Sequence, residues 1–550
     1  MEEILTQTWL HPVSHSAFPV LTLLVLLPTV FAGIGLLIPG EHQWAHKALG
    51  FVGSLVVLVV ALVVFGAVDT SIAGLQKVDD FSWIDAINAR WTLGIDGLSL
   101  PYVLLTAGLV PLVYLGAFST IDQRFKEFSM AMLVLETGML GSLLATDLLA
   151  FYVFWEVMLV PMYLMVGIWG GKDRIYATVK FFIYTMFGSL LMLVAILYLY
   201  HKAGGSFRLT DLTALKLTDK EQLYLFGAFA VAFLIKVPAF PFHTWLPDAH
   251  TEAPTPGSVI LAGVMLKLGI YGLLRFAIPL FPGAMGTLSW LFITLAVIGI
   301  VFGALMAYVQ TDVKRLVAYS SVSHLGFVLL GIAVFNEEAL QGAILQGVNH
   351  GLSTGALFFL VGFVYERAHT REIEDFGGIA KKMPVFAAFF VFVTLSSIAL
   401  PLTNGFVGEF LIFAGAFKEG VQSAIIPPAA GGYMWRNVVL IGTGIGTLGI
   451  VLGAVYMLSV VRRVFFGELT NPHMQQLRDL SGRERFIAAV LCVFIVWIGV
   501  KPSGWLQLSE ATVHAMVAPN RPQIQQMRSP ADYQREQRAA MRLRAPAVEQ

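Results

Sequence analysis

Residues 181–201, 276–311 and 437–461 contain no Asp, Glu, Lys or Arg. A helix that crosses a bilayer needs about 20 mostly apolar residues, and each of these runs meets that length. No other feature limits the fold as strongly. Inside hydrocarbon every backbone N–H and C=O must be bonded within the structure, so a spanning chain is either helical or a closed barrel. A barrel would read as short alternating segments, whereas these runs are continuous. Fourteen apolar segments follow one another, at about 18–38, 48–68, 98–118, 128–146, 147–168, 175–201, 223–247, 256–280, 286–308, 314–334, 338–364, 384–415, 437–460 and 484–501. The chain therefore reads as an all-α polytopic membrane protein of about 14 transmembrane helices, with sheet excluded.

Composition agrees. Of the 550 residues 13% are charged, against about 25% in soluble domains. A string of soluble domains and a disordered chain are both excluded. The net charge of zero offers nothing with which to hold nucleic acid. The single cysteine, Cys492, can form neither an intrachain disulfide nor a four-cysteine iron–sulfur site. The N-terminus lacks a basic stretch, the first Lys or Arg being Lys47, so the first apolar segment is expected to be retained as a membrane helix. No G-x-x-x-x-G-K-[ST] motif occurs, which argues against ATP as the energy source.

Segments 7 and 12 carry helix breakers. The first reads LIKVPAFPFHTWLP, with Pro238 and Pro241; the second reads SSIALPLTNGFVGEF, with Pro401, Asn404 and Gly405. Proline removes a backbone donor and clashes with the preceding turn. In a membrane such breaks are tolerated where they are buried in protein or line a wet cavity. The breaks fall five segments apart, as expected if segments 4–8 and 9–13 are two copies of a five-helix unit. An odd number of helices makes the copies inverted, an arrangement that marks many transporters. The implied division is 1–127 for the first three helices, 128–280 and 281–461 for the repeats, 462–501 for a loop and the last helix, and 502–550 for a polar tail. That tail is expected to be a solvated extension or a helix lying on a partner. Loops after odd-numbered segments carry 16 Lys and Arg, against 8 after even-numbered ones. By the positive-inside rule both termini lie outside.

Six ionisable residues fall near the middle of segments: Glu156, Lys236, Lys267, His324, His350 and Glu409. A charge at helix centre costs about 2.5–3.5 kcal/mol on insertion scales, so such residues face the protein interior and serve ion movement. Burial disfavours a charged lysine and a nearby carboxylate restores it. Glu156 is thus expected to modulate Lys236, which sits two residues before Pro238. Lys267 would take the proton next. His324 and His350 suit relays, because imidazole titrates near about 6.5, and Glu409 would end the path. Ser320, Ser321, Ser323, Ser353, Thr354, Thr394, Ser396 and Ser397 offer hydroxyls to water chains. Each group alone could be a structural pair or a satisfied core residue. Glu136 lies within segment 4, Asp147 is placed to cap segment 5, and Arg275 is placed to reach an interface. His243, Asp248, His250 and Glu252 cluster between prolines without metal-ligand spacing, so a rigid loop closing the broken helix is expected there. Haem between His324 and His350 is disfavoured, since each is a lone helical histidine beside Ser or Asn.

The stretches FYVFWEVMLVPMYLMVGIWGG (151–171), KVPAFPFHTWLPDAHTEAPTPGSVILAGVMLKLGIYGLLR (236–275) and DVKRLVAYSSVSHLGFVLLGI (312–332) closely resemble the antiporter-like subunits of respiratory complex I, the proton-translocating NADH:quinone oxidoreductase. The resemblance covers about residues 90–470. It implies fourteen helices with inverted repeats and breaks in helices 7 and 12. It also implies that Glu156, Lys236, Lys267, His324, His350 and Glu409 translocate protons. The helix-12 acid aligns the chain with the M-type branch, because the L- and N-type siblings and the cation/proton antiporter subunits generally carry Lys there. No cofactor is expected in this chain; flavin and iron–sulfur clusters would belong to partner subunits, and the L- and N-type subunits would be neighbours in a bacterial plasma membrane. The tail is longer than the family leads one to expect. A subunit of a cation/proton antiporter or of a membrane-bound hydrogenase, and a scaffold with degenerate channels, stay open as alternatives.

Overall fold

The computed structural model describes residues 7–422 and 432–528. Helix dominates, and each of the fourteen apolar segments is helical: α1 Val20–Leu37, α2 Gln43–Gly66, α3 Leu100–Thr120, α4 Phe125–Leu144, α5 Leu148–Trp169, α6 Arg174–Lys202, α7a Asp219–Lys236 and α7b Trp245–Glu252, α8 Thr255–Leu280, α9 Pro282–Tyr308, α10 Val313–Val334, α11 Glu337–Ala368, α12a Pro384–Ser397 and α12b Asn404–Gln422, α13 Gly432–Phe465 and α14 Gly482–Val500. Among the described residues eleven helices are long and apolar enough to cross a membrane by themselves. The count becomes twelve if α14 is joined to the helix after it, bent 67° away. The count of fourteen spans is thus not reached by whole helices. The broken ones are α7 and α12, whose halves are too short or too charged to qualify.

The helix starts follow from the sequence. Asp147 accepts from the Leu149 and Ala150 amides at 3.0 and 3.1 Å, and so caps α5 as expected. Asp312 caps α10 and Asn336 caps α11 in the same way. Thr218 with Glu221 and Ser481 with Glu484 form reciprocal capping boxes before α7a and α14. These side chains satisfy amides that a helix leaves unpaired at its first turn. Helices α8, α10 and α11 are the interior of the bundle and their apolar windows are entirely buried; α1, α2, α6, α9 and α13 lie nearer the rim.

Two expectations are corrected. Sheet is present: β1 Gln76–Ile84 and β2 Ala89–Ile95 pair antiparallel between α2 and α3, with Phe81 opposite Trp91 and Asp80 opposite Thr92. The exclusion of sheet rested on the spanning segments, whereas this stretch is a connection rich in β-forming Val, Ile, Phe and Trp. Asn88 closes the hairpin with φ at 50°, a left-handed conformation that Asn tolerates. The tail also behaves differently. Ser503–Arg528 is a helix, α15, packed against α9 and α11 of the same chain. Leu508, Thr512, Val513, Met516 and Val517 are buried. They recur at helical spacing in a stretch read as polar overall. Residues 529–550 of that tail lie outside the described residues.

Candidate functional site

The two breaks interrupt α7 after Lys236 and α12 after Ser397. Helix α7a ends at Lys236, and the Trp245 indole N–H donates to the Ile235 carbonyl at 2.9 Å, closing the gap before α7b. In α12 the break covers 398–403, where Ala399 and Leu402 adopt φ of 57° and 74°. These are left-handed values that strain non-glycine residues and persist only where the surroundings impose them. Helix α8 stays continuous but widens into π-turns at Leu261–Met265 and Leu273–Ala277. Such bulges mark functional stretches of helices.

Lys267 follows the first bulge directly. Its ammonium group donates to the Ala262 carbonyl, five residues back, and lies 2.7 Å from His350 Nδ1. The second nitrogen, His350 Nε2, has no hydrogen-bond partner in the protein. The rings of His350 and His324 have their centres 6.1 Å apart. His324 Nδ1 is 3.2 Å from Glu409 Oε1, and its Nε2 is 3.3 Å from Ser397 Oγ and 3.5 Å from Tyr456 Oη. Gln346 donates to the same Glu409 oxygen at 3.1 Å. Asn349 donates to Gln346 at 3.2 Å and to the Asn404 carbonyl, at the α12 break, at 2.7 Å. Ser353, Ser396 and Asn404 join the same network. Between the two histidines lies a polar cavity lined by Gln346, Asn349, Ser353, Thr354, Ser396 and Ser397, with about 10 Å³ open to the centre of a water molecule. That is room for about one water.

Four of the six expected groups thus form one row across α8, α11, α10 and α12b. The other two are not bonded into it. Lys236 is buried, and its Nζ lies 5.0 Å from the centre of the Trp155 ring. Glu156 is half-buried beside the Ser189 hydroxyl. No ion pair within 4.0 Å joins the two among the described residues, so the expected Glu156–Lys236 pair is open in this structure.

The remaining charges sort out. Arg275 does not reach an interface: it is fully buried, donates to Asp96 at 2.5 Å and to the Tyr271 hydroxyl at 3.0 Å, and lies over the Trp9 ring. Asp96, 179 residues away, supplies the counter-charge that no local pattern announced. Lys180 pairs with Asp248 at 2.7 Å. His250 lies in helix α7b rather than a loop, fully buried and stacked on Phe358 at 4.6 Å. Glu136 is fully buried, with no hydrogen-bond partner for either carboxyl oxygen in the protein. Sequence reasoning missed Gln346, Asn349 and Tyr456. Gln346 carried a signal, because it precedes His350 by four residues and so shares its helix face.

Fold and row together define a class, a helical membrane protein whose broken helices bracket a buried line of ionisable side chains. The family described as NADH:quinone oxidoreductase/Mrp antiporter, TM, matches residues 145–428. Subunit M of NADH-quinone oxidoreductase from Rickettsia prowazekii is 40% identical over 91% of this chain and 99% of its own length. NADH-ubiquinone oxidoreductase chain 4 of Arabidopsis thaliana is 40% identical over 90% and 96%. A chain in the structure of respiratory complex I from Thermus thermophilus with bound NADH superposes with a TM-score of 0.78 at 32% identity, covering 90% of this chain and 99% of that one. The chain belongs to the NADH:quinone oxidoreductase/Mrp antiporter family, among relatives named subunit M or chain 4.

Proposed function

We propose that this chain is a proton-translocating membrane-arm subunit of respiratory complex I, working with the other subunits of that NADH:quinone oxidoreductase. It carries no redox centre and is not catalytic alone; flavin, iron–sulfur clusters and quinone reduction belong to partner subunits. Subunits of the L and N type are its neighbours. The membrane is the bacterial inner membrane, with both termini on the outer side, in keeping with the Lys and Arg bias of the loops. Helices 4–8 and 9–13 act as inverted halves, each contributing one broken helix.

The observation that carries the reading is the row Lys267–His350, His324–Glu409 with a water-sized gap between its two pairs. A lysine ammonium holds a proton that a neutral imidazole nitrogen can accept. His350 takes the proton on Nδ1 and releases one from Nε2 into the cavity. A water or the Ser397 hydroxyl hands it to His324 Nε2, and His324 releases the proton on Nδ1 to Glu409. Each imidazole passes charge by gaining on one nitrogen and losing from the other. Lys236 loads Lys267, and Glu156 governs Lys236 as the distance between them changes, because a closer carboxylate favours the charged amine.

NADH-driven acidification of membrane vesicles tests this. Lys236→Ala and Lys267→Ala are expected to abolish pumping while leaving the complex assembled. Undiminished pumping in Lys236→Ala would remove that residue from the path. Purifying the assembly tests the setting: co-purifying NADH-oxidising and iron–sulfur subunits are expected, and a flavin-free antiporter assembly would overturn complex I membership.

A further inference from the structure

An apolar groove runs along the outer surface between α12a and α14. It is an open, shallow groove of about 870 Å³, lined by Pro384, Ala388, Phe389 and Phe392 on one wall and by Val493 and Trp497 on the other, with hardly any polar surface. The two helices start at a common level, because Asp479 accepts from the Val385 and Phe386 amides at 2.8 and 3.0 Å just before α14 begins. Along α12a the lining runs from Pro384 to Phe392, about 12 Å along a helix axis. The groove is therefore comparable in depth with one leaflet of hydrocarbon, about 15 Å.

Its open end is basic. Lys381 and Lys382 immediately precede α12a and are exposed, as are Arg478 and Arg485 at the start of α14. Arg485 lies seven residues before Cys492, so it shares the groove-facing side of α14, two turns nearer the end. The acidic residues of the 478–485 stretch are already engaged. Asp479 holds the α12a amides, and Glu484 is gripped by Arg367 at 2.9 and 2.6 Å. Four cations thus face the aqueous boundary above a purely apolar slot.

We propose that this groove is a binding site for an anionic phospholipid, with its acyl chains between α12a and α14 and its phosphate among Lys381, Lys382, Arg478 and Arg485. A polar or charged partner helix would leave its side chains unmatched against the apolar walls. A zwitterionic lipid would gain less from the cations, whereas basic pockets between membrane helices favour anionic headgroups. The assignment does not depend on the proton path. With the sidedness proposed above, the site faces the inner leaflet.

The test uses the intact complex in vesicles containing either phosphatidylglycerol or phosphatidylcholine with a photoactivatable acyl chain, followed by peptide mapping of α12a and α14. At equal mole fraction the anionic lipid is expected to label these helices at least about fivefold more. Each cation removed should weaken binding by about fivefold, so Lys381→Gln/Lys382→Gln/Arg478→Gln/Arg485→Gln should bring the two lipids to parity. Raising the salt should narrow the gap by screening. Ala388→Trp, which narrows the slot, should lower labelling from both. Equal labelling in the unaltered chain, or a preference that survives the fourfold substitution, would overturn the proposal. So would cross-linking of these helices to another subunit in place of lipid.

Discussion

At the scale of single residues, the row is ordered by which atoms can accept. Lys267 has two acceptors, the Ala262 carbonyl and His350 Nδ1, and only the second can carry a proton onward. His350→Gln keeps a side chain that hydrogen-bonds but cannot titrate. It is expected to slow the proton-transfer step by about a hundredfold or more, with the complex still assembled, as read by pH-dye quenching in NADH-energised vesicles. Pumping within twofold of normal would take His350 off the route. Tyr456 serves as a contrast. Its hydroxyl is 3.5 Å from His324 Nε2, at the limit of a hydrogen bond, and Ser397 already serves that nitrogen at 3.3 Å. Tyr456→Phe should leave pumping within about threefold of normal on the same assay, far from the loss expected of a transfer residue.

At the scale of elements, the α12 break brings Glu409 to the histidines. The turn at 398–403 lets α12b lie tightly along α11, and Gly408 faces the Gln346 and Asn349 side chains. A Cβ there would press on the Gln346 amide and lie 3.0 Å from Asn349 Nδ2. Gly408→Val should push Gln346 off Glu409 and part the row from the break, lowering pumping at least about tenfold, within the range that a proton-transfer group commands. The same variant with normal pumping would show the Gln346 contact to be dispensable. The sequence made this part of the site legible for a definite reason. Pro401, Asn404 and a mid-helix Glu409 each violate what a spanning helix permits, so each stands out against Leu, Val and Phe. Gln346 and Asn349 violate nothing and passed unnoticed. The pairing of Arg275 with Asp96 was equally hidden, because no local spacing connects residues 179 apart. The hairpin and the docked tail were missed because the apolar segments were read for spanning, while connections and a helix with one buried stripe follow other periodicities.

At the scale of the whole molecule, one end of the bundle is tied together by parts far apart in the chain. The Gly97 amide donates to Thr512 of α15 at 3.2 Å, and the Thr512 hydroxyl donates to Ala73 at 3.2 Å. Beneath them Asp96 and Arg275 hold the start of α3 to α8, with Trp9 over the guanidinium. Removing one member of a buried pair strands the other charge, at a cost of about 3–5 kcal/mol, whereas replacing both with apolar residues is often neutral. Asp96→Ala is therefore expected to reduce the amount and thermal half-life of assembled complex sharply, and Asp96→Leu with Arg275→Met to restore most of it. A single variant as stable as the parent would mean that the pair holds nothing together. The hairpin above has its own anchor, and this one responds to pH. Asp80 receives Arg90 at 2.7 Å, Thr92 at 2.9 Å and Arg208 at 3.3 Å. Partial burial raises its carboxyl, but the Arg90 and Thr92 hydrogen bonds and the two guanidinium charges outweigh that and hold it below the usual carboxylate range. A group depressed on folding stabilises the fold above its unfolded value, about 3.9 for Asp, and that contribution fades as the pH falls through the folded value. Water screens the site, so the anchor contributes no more than about 1 kcal/mol. Protection of the 76–95 amides against hydrogen exchange, corrected for intrinsic rates, should hold from pH 7 to about pH 4 and decline below that. In Asp80→Asn the protection should start lower and show no such decline, and a decline of the same size there would assign the acid sensitivity to another carboxylate.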